Sequence, residues 1–134
     1  MTSKVIYLGN LRTENIHEKS GDSYITDAPL DNNGKGEAFS PTDTVATALA
    51  NCMLTVMGIK AASMNVDMKG TIAKVTKTMA SDPRRISKIE IVLDLPVEAE
   101  AKTRKILEHT AETCPVHFSL HPDIEKEITY NWDS

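Results

Sequence analysis

Two cysteines, Cys52 and Cys114, are the side chains of this sequence best suited to chemistry, because a thiolate is a strong nucleophile. They are too few for the disulfide framework of a small secreted protein, which usually needs about four or more. A separated pair of this kind indicates a redox cycle, in which one thiolate attacks a peroxide oxygen and becomes a sulfenic acid. The second thiol then condenses with it to a disulfide. Sequence periodicity alone leaves open whether the two thiols meet in space.

Each cysteine also has a simpler interpretation. Cys52 lies in the most apolar segment of the chain, where a free cysteine is usually a small buried core residue. Cys114 stands between a predicted helix end and Pro115, where it would only fill a gap. If a helical turn follows Pro115, however, Cys114 is its N-cap, and backbone N–H groups would lower the pKa of the thiol. His117 would then face Cys114 from the same turn.

Composition and motifs exclude several other classes of function. The net charge of −4, from 15 Lys+Arg and 19 Asp+Glu, argues against a nucleic-acid-binding domain, which usually carries a basic face. A glycine-rich phosphate loop and a GxSxG nucleophile elbow are both absent from the sequence. A metal site is a weak alternative because no paired CxxC or HxxxH spacing is present. Its ligands would come from Cys52, Cys114, His117 and His121.

One long helix must position Cys52. Ser40 is a good N-cap, Pro41 suits the first helical position and Asp43 favours the helix dipole, so a helix is predicted over residues 40–64. No charged residue occurs between Asp43 and Lys60, and a helix that is apolar on nearly every face is buried on nearly every face. In a chain of 134 residues, such burial needs a sheet and a further source of cover, most simply a second subunit.

The other segments alternate like strands or carry turn-forming residues. The predicted elements are strands within 1–27, a loop over 28–40, an antiparallel strand pair over 66–79 and 86–95, a helix from Pro96 to about Thr113 with an apolar stripe of Ala101, Ile106 or Leu107, and Ala111, a short turn over 116–120, and a strand over 127–132. This order predicts an α+β fold with a largely antiparallel sheet packed on helices. The length predicts a single domain over residues 1–134.

The compartment is predicted from what the sequence lacks. The apolar run that follows Lys4 is too short for the core of a signal peptide. No stretch approaches the roughly 20 apolar residues of a membrane span. We therefore expect a cytoplasmic protein that binds neither a membrane nor a nucleic acid, and whose thiols rest reduced.

Two motifs resemble those of the OsmC/Ohr family, in its OsmC-like branch. The first is SPTDT at residues 40–44 followed by ALANCM at 48–53, and the second is TCPVH at 113–117. The similarity extends from the N-terminal strands to the YNW sequence at residues 130–132. The resemblance implies an OsmC-like fold with sheets around a long buried central helix. It also implies an intertwined homodimer in which two central helices lie between the sheets.

The resemblance further implies a thiol-dependent peroxidase that reduces small organic hydroperoxides. Cys52 would be the peroxidatic cysteine and Cys114 the resolving cysteine. The implied reductant is a dithiol, such as lipoyl groups carried on proteins, and neither a metal nor a flavin is needed. The disulfide would form within one subunit.

In the family, an arginine near the N-terminus and a glutamate at the start of the central helix polarise the peroxidatic thiol. Arg12 is the candidate for the arginine, since no other arginine precedes residue 84. Thr42 occupies the glutamate position, and Asp43 beside it and Glu37 in the preceding loop are the candidate replacements. The substitution at Thr42 motivates a second hypothesis, a non-catalytic dimeric protein that binds a small apolar ligand. A third is a thiol site for an electrophile or a metal.

Overall fold

The computed structural model describes residues 1–133, which form two compact units, one spanning Met1–Val45 and the other beginning at Ala46. Each unit contains one three-stranded sheet. The elements follow one another in the order β-β-β-α-β-β-α-α-β, which confirms the predicted α+β class. The segment predicted as a short turn over 116–120 is a third, short helix.

The N-terminal unit is an antiparallel sheet. Its strands are β1 (Ser3–Gly9), β2 (Arg12–His17) and β3 (Ser23–Asp27). The chain turns from β1 into β2 through Gly9 and Asn10, whose φ values of 85° and 53° are left-handed. Glycine and asparagine accept that conformation more readily than other residues. The predicted loop over 28–40 holds one short 3-10 turn, Leu30–Asn32.

The second sheet combines both strand directions. Its strands are β4 (Ile72–Ala80), β5 (Arg85–Glu98) and β6 (Glu125–Asp133). The antiparallel pairing of β4 with β5 confirms the predicted hairpin, although β4 starts at Ile72 rather than at residue 66 because Gly70, with φ of 93°, turns the chain first. β5 and β6 pair in parallel, the one parallel pairing among the described strands of a fold predicted to be largely antiparallel. The reason is that two helices between them form a crossover connection.

Three helices complete the fold. They are α1 (Pro41–Ser63), α2 (Ala101–Glu112) and α3 (Pro115–Ser119). The bounds of α1 confirm the prediction, but α2 begins later than Pro96 because β5 continues to Glu98. A register shift between Leu95 and Glu98 makes the ladder irregular there, so Pro96 is accommodated without an N–H group.

The hydrophobic core of the second unit joins α1, β5 and α2. Its members are Ala46, Leu49, Ala50, Met53, Met57, Ala61, Ile89, Ile91, Leu93, Leu95, Leu107, Ala111 and Cys114, all nearly inaccessible to water. The apolar stripe of α2 uses Leu107 and Ala111, whereas Ile106 is half-buried and Ala101 is exposed. Cys114 is therefore fixed inside the core, because the interior of a protein is close-packed.

α1 is buried on one side only. Its six core residues recur at helical spacing and form a single stripe. On other faces Val45 is 40% exposed and Ile59 is 70% exposed. Among the described residues, α1 is the one helix long and apolar enough to span a membrane, which corrects the expectation that no stretch approaches that length. Its buried stripe nevertheless belongs to the protein core. Burial on nearly every face, as predicted from the sequence, is not reached within one chain.

Candidate functional site

The two cysteines lie close to each other in the second unit. Both are free thiols that are not joined as a disulfide. Burial raises the pKa of Cys114, and the neighbouring Cys52 thiol adds to that rise. Cys52 projects from α1 and is half-buried against the core, whereas Cys114 is 1% exposed. Two residues that are distant in sequence are thus brought to the same hydrophobic core, Cys114 within it and Cys52 packed against it.

Cys114 is the N-cap of α3, as predicted. Its Sγ accepts a hydrogen bond from the backbone N–H of His117 over 3.4 Å, and Pro115 occupies the first helical position. Burial raises the pKa of Cys114 above its ordinary value. The N–H groups of His117 and Val116 lower the pKa of the thiol, as expected of an N-cap, but by less than burial raises it. Cys114 therefore rests as a protonated thiol.

The backbone of His117, rather than its ring, contacts the cysteine. The imidazole packs edge-on against the ring of Phe118, with centroids 6.3 Å apart. Within residues 1–133, no group of three or more His, Cys, Asp or Glu side chains is arranged to hold a metal ion. The set of Cys52, Cys114, His117 and His121 is accordingly not assembled as ligands.

Arg12 forms a two-pronged ion pair in the N-terminal unit. Its Nε and Nη2 donate to the two carboxylate oxygens of Asp27 over 2.7 and 2.8 Å. Asp27 is only 2% exposed, and its hydrogen bonds with Arg12 hold the pKa of the carboxyl below its usual range. Glu37 is a weaker neighbour, with its Oε1 3.9 Å from Arg12 Nη2. Planar bidentate pairing of this kind fixes the orientation of a guanidinium.

Sequence reasoning missed Asp27 as the partner of Arg12. The signal was present in the strand register, because Arg12 begins β2 and Asp27 ends β3 directly opposite it. Opposite charges across an antiparallel pair attract each other. Of the three side chains considered as replacements for the usual glutamate, Thr42, Asp43 and Glu37, Glu37 lies within ion-pair distance of Arg12.

Asp43 closes the start of α1. Its Oδ2 accepts from the backbone N–H of Ser40 over 2.9 Å, and its own N–H donates to Ser40 Oγ over 3.1 Å. The backbone N–H groups of Ser40 and Asp43, which have no partner within the helix, are thus each paired with the other residue's side chain. This arrangement is a capping box in which aspartate takes the place of the usual glutamate or glutamine. A catalytic role for Asp43, and an activating role for Arg12, stay predictions.

The chain is similar in fold and sequence to solved structures. A Psychrobacter arcticus protein named for osmotic stress induction and detoxification response is 56% identical, with a TM-score of 0.95 over 98% of this chain and 96% of that one. A Legionella pneumophila organic hydroperoxide resistance protein OsmC is 16% identical, with a TM-score of 0.69 over 96% and 94% of the two chains. A Vibrio cholerae protein named for organic hydroperoxide resistance, with captopril in one of its active sites, is 15% identical, with a TM-score of 0.75 over 98% and 92%.

No functionally curated protein matches the sequence. The sequence profile of the family described as OsmC-like protein matches residues 34–129, which include the start of α1 and both cysteines. The motifs around Cys52 and Cys114, the α+β architecture and the similarity to the Psychrobacter protein agree with that match. The chain therefore belongs to the OsmC-like protein family.

Proposed function

We propose that the protein is a two-cysteine peroxidase that reduces organic hydroperoxides, with Cys52 as the peroxidatic and Cys114 as the resolving residue. The observation that carries the proposal is that both thiols are free and share one hydrophobic core, Cys114 within it and Cys52 packed against it. Cys52 is the half-buried member, so an incoming hydroperoxide meets it first. Cys114 is almost inaccessible and its raised pKa keeps it protonated, which suits a second reactant rather than the first.

The first chemical step is nucleophilic attack. The Cys52 thiolate attacks the distal oxygen of the hydroperoxide, a sulfur–oxygen bond forms, and the oxygen–oxygen bond breaks. The alkoxide that leaves takes up one proton and departs as an alcohol. Cys52 has then become a sulfenic acid, and the hydroperoxide has been reduced by two electrons.

The second step closes the disulfide. The sulfur of Cys114 loses its proton and attacks the sulfenic sulfur of Cys52, and the departing hydroxide combines with a proton to give water. A dithiol then attacks the disulfide, restores both thiols and becomes a disulfide itself. A lipoyl group carried on a protein is the dithiol that the family resemblance implies.

The names of the structural relatives support the substrate class. The Legionella and Vibrio proteins are named for organic hydroperoxide resistance, and the Psychrobacter protein for detoxification. The aliphatic side chains around Cys52 favour a hydroperoxide with an apolar organic group over a charged one, because apolar surface packs against them without loss of hydration.

We propose that two copies of the chain assemble as a homodimer. Large apolar side chains are exposed on β1, including Val5 at 59% and Tyr7 at 65%, and on α1 at Ile59. Exposed apolar side chains on a three-stranded sheet, and on a helix that is buried on one side, favour contact with a partner surface. An intertwined cytoplasmic homodimer accounts for that exposure, and sedimentation equilibrium at micromolar concentration tests it. A monomer there would contradict the dimer.

The proposed activity is tested by following hydroperoxide consumption with a dithiol present. Cys52→Ser should abolish consumption of cumene hydroperoxide, whereas Cys114→Ser should accumulate Cys52 sulfenic acid, which a dimedone adduct reveals by mass. Each variant is the control for the other. Because both replace one cysteine by serine, a general effect of losing a thiol would appear in both. Full activity in Cys52→Ser would refute the mechanism.

The alternative function, a non-catalytic protein that binds a small apolar ligand, predicts that hydroperoxide leaves both thiols unreacted. After one equivalent of hydroperoxide, both Cys52 and Cys114 would remain titratable as thiols. Peptide mass mapping of the treated protein separates the two functions, because only the peroxidase yields a peptide pair joined by a Cys52–Cys114 disulfide.

A further inference from the structure

Side chains of β6 tie α2 to the second sheet. Tyr130 Oη donates to Glu112 Oε2 over 3.0 Å and lies 3.3 Å from the carbonyl oxygen of Glu108. Trp132 Nε1 donates to Glu108 Oε2 over 2.9 Å. Tyr130 and Trp132 are two residues apart on a strand, so they leave the same face of the sheet. The last turn and a half of α2 is thereby held at two points.

Arg104 adds a third point of attachment near the other end of α2. Its guanidinium lies 5.7 Å from the centre of the Trp132 ring, and its Nη2 donates to the carbonyl oxygen of Asp133 over 3.0 Å. Its Nε donates to the carbonyl oxygen of Ala99, just before the helix. α2 is therefore fastened along its length to one strand.

These contacts end next to the resolving cysteine. Glu112 is the last residue of α2, and Cys114 follows after Thr113. Leu107 and Ala111 are fully buried, so the same helix end is fixed by the core on its apolar side and by Tyr130 on its polar side. Burial and the charge of Glu112 raise the pKa of Tyr130. Tyr130 thus stays a hydrogen-bond donor to the last residue of α2, two positions before Cys114.

The position of Cys114 governs how fast the disulfide forms. The two sulfur atoms of a disulfide are about 2.05 Å apart. The reaction between two thiol groups is faster when the protein restricts them to positions close to this geometry. If the C-terminal end of α2 were more mobile, Cys114 would occupy a wider range of positions. It would then face Cys52 for a smaller fraction of the time.

We propose that Tyr130, through its hydrogen bond to Glu112, is a positioning residue that holds Cys114 beside Cys52 for disulfide formation. This inference rests on the proposed function for its role in turnover. The hydroxyl of Tyr130 touches no reacting atom in this scheme, and it acts through the end of α2.

The test separates the two steps of a single turnover. The wild-type protein and Tyr130→Phe are each mixed with one equivalent of cumene hydroperoxide, quenched at intervals with dimedone, and analysed by mass. Tyr130→Phe should form sulfenic acid at the wild-type rate but close the disulfide about tenfold more slowly, because one charge-assisted hydrogen bond is lost. Lys105→Ala, at an exposed position of α2 itself, is the control and should leave both rates unchanged.

A second pair of variants guards against misfolding. Glu112→Ala should reproduce the slow disulfide closure, whereas Glu112→Gln keeps an acceptor oxygen for Tyr130 and should restore most of the rate. Equal closure rates in the wild type, Tyr130→Phe and Glu112→Ala would overturn the proposal. So would faster closure in either variant, since that would mean the contact restrains Cys114 away from Cys52.

An equilibrium measurement needs no hydroperoxide and therefore stands apart from the proposed peroxidase activity. In mixtures of reduced and oxidised dithiothreitol, the disulfide fraction reports the effective concentration of the two thiols. Tyr130→Phe should lower that effective concentration about tenfold. An unchanged value would refute the positioning role, whereas a lowered value in a protein that never forms sulfenic acid would refute only the peroxidase.

Discussion

The reciprocal pair of Ser40 and Asp43 gives a direct way to distinguish a capping aspartate from a catalytic one. Ser40→Ala removes the acceptor for the Asp43 N–H, a change that typically costs about 0.5–2 kcal/mol at a helix N-cap. Ser40 is 1% exposed, so water replaces the lost bond poorly, and we expect the upper part of that range, about 1–2 kcal/mol. For a chain of this length, the melting temperature should fall by about 4–7 °C.

Asp43 should behave as the other half of the same unit. Asp43→Asn keeps an oxygen that can accept from the Ser40 N–H and loses only the charge at the helix start, which is worth about 0.3–1 kcal/mol. Asp43→Ala loses both. The double variant Ser40→Ala/Asp43→Ala should lose less unfolding free energy than the sum of the two single variants, by about 0.5 kcal/mol or more. The reason is that either substitution alone already breaks the reciprocal pair.

The assay is urea denaturation at one fixed protein concentration, paired with hydroperoxide consumption measured on the folded variants. Glu18→Gln, an exposed charge removal in the same unit, is the control and should change the unfolding free energy little. If Asp43→Ala abolished hydroperoxide consumption while its unfolding free energy stayed at the wild-type value, the capping interpretation would be refuted and the catalytic one supported.

Two further predictions concern the ionisable groups. Arg12 holds the pKa of Asp27 below its ordinary value of 3.8, so this pair stabilises the fold above that pH and loses its effect as the pH falls through the lowered pKa. The difference in unfolding free energy between the wild type and Asp27→Asn should therefore be largest at about pH 7 and shrink towards about pH 2; a constant difference would contradict an ionic contribution. Iodoacetamide at about pH 8 should alkylate Cys52 at least about tenfold faster than Cys114, whose thiol is buried and has a raised pKa. Protein unfolded in urea is the control, and equal rates in the folded protein would show that Cys114 is accessible.

The local signals of the sequence predicted most of the fold. α1 could be placed because Ser40, Pro41 and Asp43 form a recognisable helix start, and the N-cap position of Cys114 followed from Pro115. The parallel pairing of β6 with β5 could not be predicted from such local signals. Strand alternation reports which face of a strand is buried, and it carries no information about strand direction.

The electrostatics of the site were less predictable than its residues. The pKa direction of Cys114 depends on the balance between burial and two N–H groups, and burial is set by α1 and β5, which are distant in sequence. The partner of Arg12 likewise depends on how β2 and β3 align. In both cases the sequence identified the candidate residue, and the missing information was which atoms tertiary packing brings to it.

The parallel crossover between β5 and β6 has a consequence for folding order. Cys114 lies within the connection between these strands, so its final place depends on a pairing between segments that are distant along the chain. Such non-local pairings form late, because loop-closure entropy must be overcome before their contacts contribute. A chain still emerging during synthesis therefore carries Cys52 in a helix of local contacts before its partner thiol has docked. Protection of Cys114 from a fast thiol reagent, followed during refolding, reports the moment at which the redox pair is complete.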